Sequence, residues 1–200
     1  MDTDTILTEI PGYIERLFDS YDCTQLLYHN FHHTQQVVIH SVEIADHYDL
    51  DSHSRFVLQA AAWFHDTGQL KGDMAVHEAT GMQFMEDFFS GKPIDKNTIL
   101  TIADCIMATK MPTSPRTFME EILCDADTYH LGTTDFQQLD KLVWLELELR
   151  LDKPVEDQLQ KSLVFLEEHR FFTSYCQERL SEGKNKNIAL LKAMIGQQGK

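Results

Sequence analysis

The chain has 200 residues, 42% of them hydrophobic, and carries 17 basic against 32 acidic side chains for a formal net charge of −15. That length suits one domain able to bury roughly 70% of its unfolded surface without staples. The acidic balance and the lack of a Lys/Arg cluster exclude a broad nucleic-acid track, and no apolar run approaches the ~20 residues of a membrane span.

The spacing of apolar residues is helical almost throughout. After Pro11, residues Ile14, Leu17, Phe18 and Tyr21 predict a first helix, and Asn30 caps a second that runs to about Tyr48. Ser52 opens a third through Ala60-Ala61-Ala62-Trp63-Phe64, closed at Gly68 in a left-handed conformation. A fourth fits Met74 to Phe89, Asp95 opens a fifth, and Ser114-Pro115 starts a sixth that carries Asp125 and Asp127 near its end. Thr134-Asp135-Phe136-Gln137 reads as a capping box for a helix to about Leu151. Pro154 restarts the chain to about Glu182, a loop is expected at Ser181 to Asn185, and Asn185 to Ile195 forms a last amphipathic piece. No strand pattern competes, so the expected fold class is all-α in one domain, residues 1–200.

Cys23, Cys105, Cys124 and Cys176 form no C-x-x-C pair, and Met1-Asp2-Thr3-Asp4-Thr5 lacks the features of a signal peptide. Both point to a reducing compartment, and a cytoplasmic location is expected.

Histidines and carboxylates gather in Tyr28-His29-Asn30-Phe31-His32-His33, His65-Asp66, His77-Glu78 and Asp125-Ala126-Asp127. Taken singly, each histidine is more often a hydrogen-bonded structural residue, and ten histidines make chance pairs easy. Together, imidazoles and ionised carboxylates are the donors that a hard-to-intermediate divalent cation requires.

Their order also resembles a known family. Tyr28-His29-Asn30-x-x-His33 with Val37 on the next turn, Trp63-Phe64-His65-Asp66-Thr67-Gly68, His77-Glu78-Ala79-Thr80-Gly81 and Cys124-Asp125-Ala126-Asp127 resemble the HD-domain metal-dependent phosphohydrolases over roughly residues 25–135. The helices after about residue 136 look like the C-terminal part of a bacterial subgroup of predicted HD phosphohydrolases. The resemblance implies an HD-like helical bundle with a C-terminal helical extension. It implies a divalent cofactor (manganese, iron, magnesium, zinc or nickel) held by His33, His65, Asp66 and Asp127, with Asp125, on a different helical face, as the alternative late aspartate. Asp66 would thereby also be catalytic.

Tyr28-His29-Asn30-x-x-His33 is similar, too, to the signature of cyclic-nucleotide phosphodiesterases, which gives His29 the role of proton donor to the leaving oxygen. Those enzymes have a further histidine soon after the HD pair, where Gln69, Leu70 and Lys71 stand here. His77 is then the candidate for a second ion. Glu78 would orient a ligand or water, and Lys71, Lys110 and Arg116 would meet phosphate. His32 is expected to be exposed, and His40, His47, His53 and His169 to be ordinary. The implied activity is hydrolysis of a phosphate mono- or diester of a small metabolite, a nucleotide foremost. The alternatives are a nucleotide-binding regulator without turnover and a di-iron oxygenase.

Overall fold

A computed structural model describes residues 3–198, and among them nine α-helices and two 3₁₀ turns account for the fold, with no strand. The helices are α1 (Thr3–Ser20), α2 (Phe31–His47), α3 (Ser52–Phe64), α4 (His77–Phe89), α5 (Lys96–Ala108), α6 (Phe118–Asp127), α7 (Phe136–Leu151), α8 (Gln158–Glu168) and α9 (Ser174–Gln198). The 3₁₀ turns, Thr67–Lys71 and Tyr129–Gly132, follow α3 and α6. No helix among the described residues is long and apolar enough to cross a membrane.

The packing centres on α3. Its Phe56, Val57, Leu58, Ala60, Ala61, Ala62 and Phe64 are all essentially inaccessible, so this helix is apolar on every side and takes neighbours all round. The small Ala60-Ala61-Ala62 run admits them closely; α1, α2, α5 and α6 all contact α3. One continuous apolar core runs from Ile6 in α1 to Leu191 in α9.

Several boundaries differ from the sequence expectation, each for a physical reason. Helix α1 begins ahead of Pro11, which lies inside it. Ile6, Ile10 and Ile14 form a fully buried stripe, and at ~1.5–3 kcal/mol each this burial outweighs the ~3 kcal/mol that an interior proline costs. Asp51, not Ser52, caps α3, its carboxylate accepting the Ser54 N–H. Helix α4 starts at His77 rather than Met74. Thr117, not Ser114, caps α6. At α7 no side chain caps the helix, and the expected capping box does not form.

The largest difference lies after Pro154. The chain there divides into α8 and a separate α9, and the stretch Ser181 to Asn185 is helix rather than loop. The break has a distant cause. Asp125, on α6, accepts the backbone N–H groups of Phe172 and Thr173, both at 2.8 Å, and the Thr173 hydroxyl at 2.7 Å. Thr173 in turn caps α9 by accepting the Cys176 N–H at 3.2 Å. Gly183 serves not as a turn residue but as a bare surface on which Gly132 rests.

Candidate metal centre

Local rules set the first part of the site. The Asn30 side chain accepts the His33 N–H at 3.0 Å, an N-cap that fixes the first turn of α2 and with it the His33 ring. His65 closes α3, and its Nδ1 donates to the Ala62 carbonyl at 2.8 Å. That bond selects the tautomer with the proton on Nδ1 and leaves the Nε2 lone pair free, as in a ligating histidine. Asp66 follows directly, Gly68 sits in the next turn, and Asp127 ends α6.

Gly68 does not take a left-handed conformation; Gly72 does, with φ of 83°. The value of Gly68 is its lack of a side chain, because a Cβ there would lie 1.8 Å from the His77 carbonyl oxygen. The start of α4 is thus pressed against the turn that follows Asp66, which brings His77 to the cluster.

Four donors meet although they span almost a hundred positions of sequence. His33, His65, Asp66 and Asp127 each offer an atom within 4.8 Å of the others. His33 Nε2 lies 3.3 Å from Asp66 Oδ2 and 3.2 Å from Asp127 Oδ1, and His65 Nε2 lies 3.2 and 3.5 Å from the same two oxygens. Two ligands held ~2.0–2.3 Å from one first-row ion stand about 3 Å apart at a right angle and about 3.5 Å apart at a tetrahedral one. The observed separations fill that interval. Both Nε2 atoms are also buried without a hydrogen-bond partner. The carboxylates are near enough for attraction, but no ring N–H is aimed at them, and orphaned buried polar atoms are costly. The residues fit a divalent ion.

The electrostatics agree. Burial pushes the His65 imidazole down, but the Asp66 charge and the approach of Asp127 outweigh it and hold it well above its usual value. His33 is raised by the same contest. Burial likewise opposes ionisation of Asp66, yet the neighbouring imidazoles, His65 first, hold its carboxyl well below the usual range. The two carboxylates thus make the cluster favourable for positive charge, which a divalent ion would supply in place of protons.

Around this cluster the other expected residues divide. His77 Nε2 lies 3.4 Å from Asp66 Oδ1, the oxygen turned away from His33 and His65, and its Nδ1 donates to the Met74 carbonyl. Glu78 is buried, with Oε1 3.5 Å from His77 and Oε2 without a hydrogen bond but 4.0 Å from Lys110 Nζ. His29 and Lys110 line a cavity of about 510 Å³ that Asp66, His77, Glu78 and Asp127 also line. Lys71 instead lies over the Phe84 ring, and Arg116 lines a separate surface hollow. Asp125, taken up by the start of α9, points away from the cluster, which leaves Asp127 as the late aspartate there. His32 is exposed.

Three contributors carry no signal in the sequence. Glu146 on α7 is 2% exposed and receives His29 Nδ1 at 2.6 Å. Arg150, one turn later, bonds both Glu146 and Gln69. His130 meets the Tyr28 hydroxyl at 3.2 Å, and this pair lies between the main cavity and a second one of about 410 Å³ that reaches His33 and Asp127 from the other side. The pattern Glu146-Leu-Glu-Leu-Arg150 looks like an ordinary solvated helix face, because only a contact with residue 29 separates Glu146 from Glu148.

Neither a known protein family, nor a curated protein, nor a solved structure matches the chain.

Proposed function

We propose that the chain is a metal-dependent phosphohydrolase of the HD-domain kind, cleaving a phosphate mono- or diester of a small metabolite, a nucleotide foremost. The observation that carries this reading is the meeting of four ligand-type atoms, two of them buried imidazole nitrogens without hydrogen bonds, with Asp66 and Asp127 reaching the wall of a cavity that His29 shares. His33, His65, Asp66 and Asp127 would hold the ion, and His77 with the second oxygen of Asp66 offers a place for another. Such an ion, when bound, polarises a phosphoryl oxygen and makes water acidic enough to act as a nucleophile near neutral pH.

The chain's own groups do the rest. Hydrogen bonds from His65 and His77 Nδ1 to backbone carbonyls fix both rings, so little reorganisation accompanies reaction. Glu146 takes the Nδ1 side of His29, leaving Nε2 to carry the proton that passes to the leaving oxygen as the P–O bond breaks. Lys110 brings a positive charge to the cavity wall and would meet the phosphate.

A regulator without turnover is disfavoured by the intact donor set together with the His29–Glu146 pair, which a binding pocket does not need. The approach of His77 to Asp66 and Glu78 is the feature that favours a pair of ions and, with iron, oxygen chemistry. Elemental analysis of the purified protein, followed by phosphate mono- and diester assays with manganese, nickel, magnesium or zinc, tests the reading. Bound divalent metal and ion-dependent cleavage of a mono- or diester are expected. Full activity in chelator, or no cleavage of either ester class with any ion, would overturn it.

A further inference from the structure

The cavity beside the metal cluster has a second wall, built by α7 and α8. Asp140, Val143 and Trp144 occupy positions i, i+3 and i+4 of α7 and so share one face, and Ser162 and Phe165 come from α8. The Trp144 Nε1–H donates to Ser162 Oγ at 2.7 Å, and Ser162, itself 2% exposed, lies 2.8 and 2.9 Å from the two Asp140 oxygens. One hydroxyl hydrogen serves one of those oxygens at a time. The carboxylate has no cation among the described ion pairs, and burial pushes its pKa up against the approach of Ser162 and Trp144. Trp144 and Ser162 already join the two helices without a charge, so the carboxylate adds a desolvation cost that packing does not explain.

We propose that Asp140 reads the base of a nucleotide, its two oxygens accepting the N1–H and 2-amino N–H of a guanine whose ring lies against Trp144 and Phe165. Only the phosphate end of this assignment rests on the phosphohydrolase reading. A carboxylate only accepts hydrogen bonds, and among the common bases guanine alone presents two adjacent donors on its pairing edge. Adenine and cytosine set a ring-nitrogen lone pair beside their amino group, which a carboxylate repels. Uracil and hypoxanthine offer one donor. The size agrees: a 510 Å³ cavity with aromatic lining suits a nucleotide, whereas a small alkyl phosphate would leave most of it empty.

Nucleosides test the base site without any phosphate chemistry. Calorimetric titration of the wild-type protein with guanosine, inosine, adenosine and cytidine should give guanosine at least ~10-fold tighter binding than inosine, the equivalent of one charged hydrogen bond. Asp140→Asn presents one acceptor and one donor, and should favour xanthosine, whose 2-position is a carbonyl, over guanosine. Nucleoside affinities within ~3-fold of one another, or an unchanged order in a folded Asp140→Asn protein, would overturn the proposal. If the variant does not fold, the wild-type series decides alone. Selective guanosine binding with no ion-dependent cleavage of guanosine phosphate monoesters or diesters upholds the base site and removes the hydrolase reading. Equal release from all four monophosphates with flat nucleoside affinities does the reverse.

Discussion

His29 Nδ1 lies 2.6 Å from Glu146 Oε1 across 117 residues of sequence, and the second oxygen of the same carboxylate accepts the backbone N–H groups of Tyr28 and His29 at 2.8 and 3.0 Å. One buried side chain thus holds both the ring and the peptide that carries it. Burial alone would raise the Glu146 pKa, but the bonds from His29 and the two N–H groups prevail and bring it down to about 2.

If His29 is the proton donor, His29→Ala should keep the bound ion yet lose ~10²- to 10⁴-fold in rate on esters with poor leaving groups. The loss should shrink with p-nitrophenyl esters, whose leaving group needs little protonation. Glu146→Gln should lose part of the same factor, and little more when added to His29→Ala, because it acts through that ring. Fully additive losses in the double variant, or loss of metal from His29→Ala, would place His29 in another role.

Asp125 and Asp127 stand two residues apart and should fail differently. Asp125→Ala strands the Phe172 and Thr173 N–H groups, an expected cost of about 2–5 kcal/mol, while the metal content stays near the wild-type level. Asp127→Ala and His65→Ala should instead lose the metal, so that chelator shifts the melting temperature of the wild type and of Asp125→Ala but not of these two variants. Melting curves with and without chelator, beside elemental analysis, separate the two classes.

The part of the site that was legible in the sequence was held by local rules or by motif order. The Asn30 cap, the His65 helix end and the late position of Asp127 follow from residues within a few positions of each. The hidden part depends on distant contacts. Glu146 differs from Glu148 only by facing His29, and the break between α8 and α9 exists because Asp125 captures N–H groups some 47 residues away. The charged stretch Ser181 to Asn185 reads as a loop, yet it is helix, and Gly183 within it is needed for closeness to Gly132. The all-α class was legible throughout because the 3.6-residue apolar period survives each of these local errors.

His169 should give the fold a measurable acid sensitivity. The Thr128 hydroxyl donates to the Cys124 carbonyl at 2.7 Å, so His169 Nε2, 3.0 Å from the Thr128 oxygen, must be the protonated nitrogen, and Nδ1 faces the Lys184 ammonium at 3.4 Å. Burial first, then the Lys184 charge, lower the His169 pKa to about 4. The unfolded chain therefore binds a proton that the folded one refuses. The stability this contributes is complete above about pH 6.5, falls as pH drops below it, and is gone near pH 4. The change amounts to at most ~3 kcal/mol. His169→Gln should flatten this part of the stability profile in denaturant titrations, and an unchanged slope would assign the acid sensitivity to other groups.

The last prediction concerns the contact between Gly183 and Gly132. A Cβ on Gly183 would fall 1.9 Å from the Gly132 carbonyl oxygen and 2.8 Å from its carbon, and one on Gly132 would fall 2.5 Å from Leu180 Cβ. None of these atoms belongs to the far end of a flexible side chain, so the helix and the 3₁₀ turn must move apart. Asn187, which donates to the Leu131 and Thr133 carbonyls at 3.0 and 2.9 Å, would be strained by the same movement. Gly183→Ala should therefore cost about 1–3 kcal/mol or more by overpacking, despite the gain in helix propensity. Gly196→Ala is the control: it lies in the same helix with nothing within 4 Å of its Cβ position, and should be neutral or stabilising by up to ~1 kcal/mol. Because the 3₁₀ turn Tyr129–Gly132 follows α6 almost directly, a shift there should reach Asp127 and weaken metal retention in Gly183→Ala alone. Equal stability and equal metal retention in the two variants would show that the closeness of Gly183 and Gly132 is incidental.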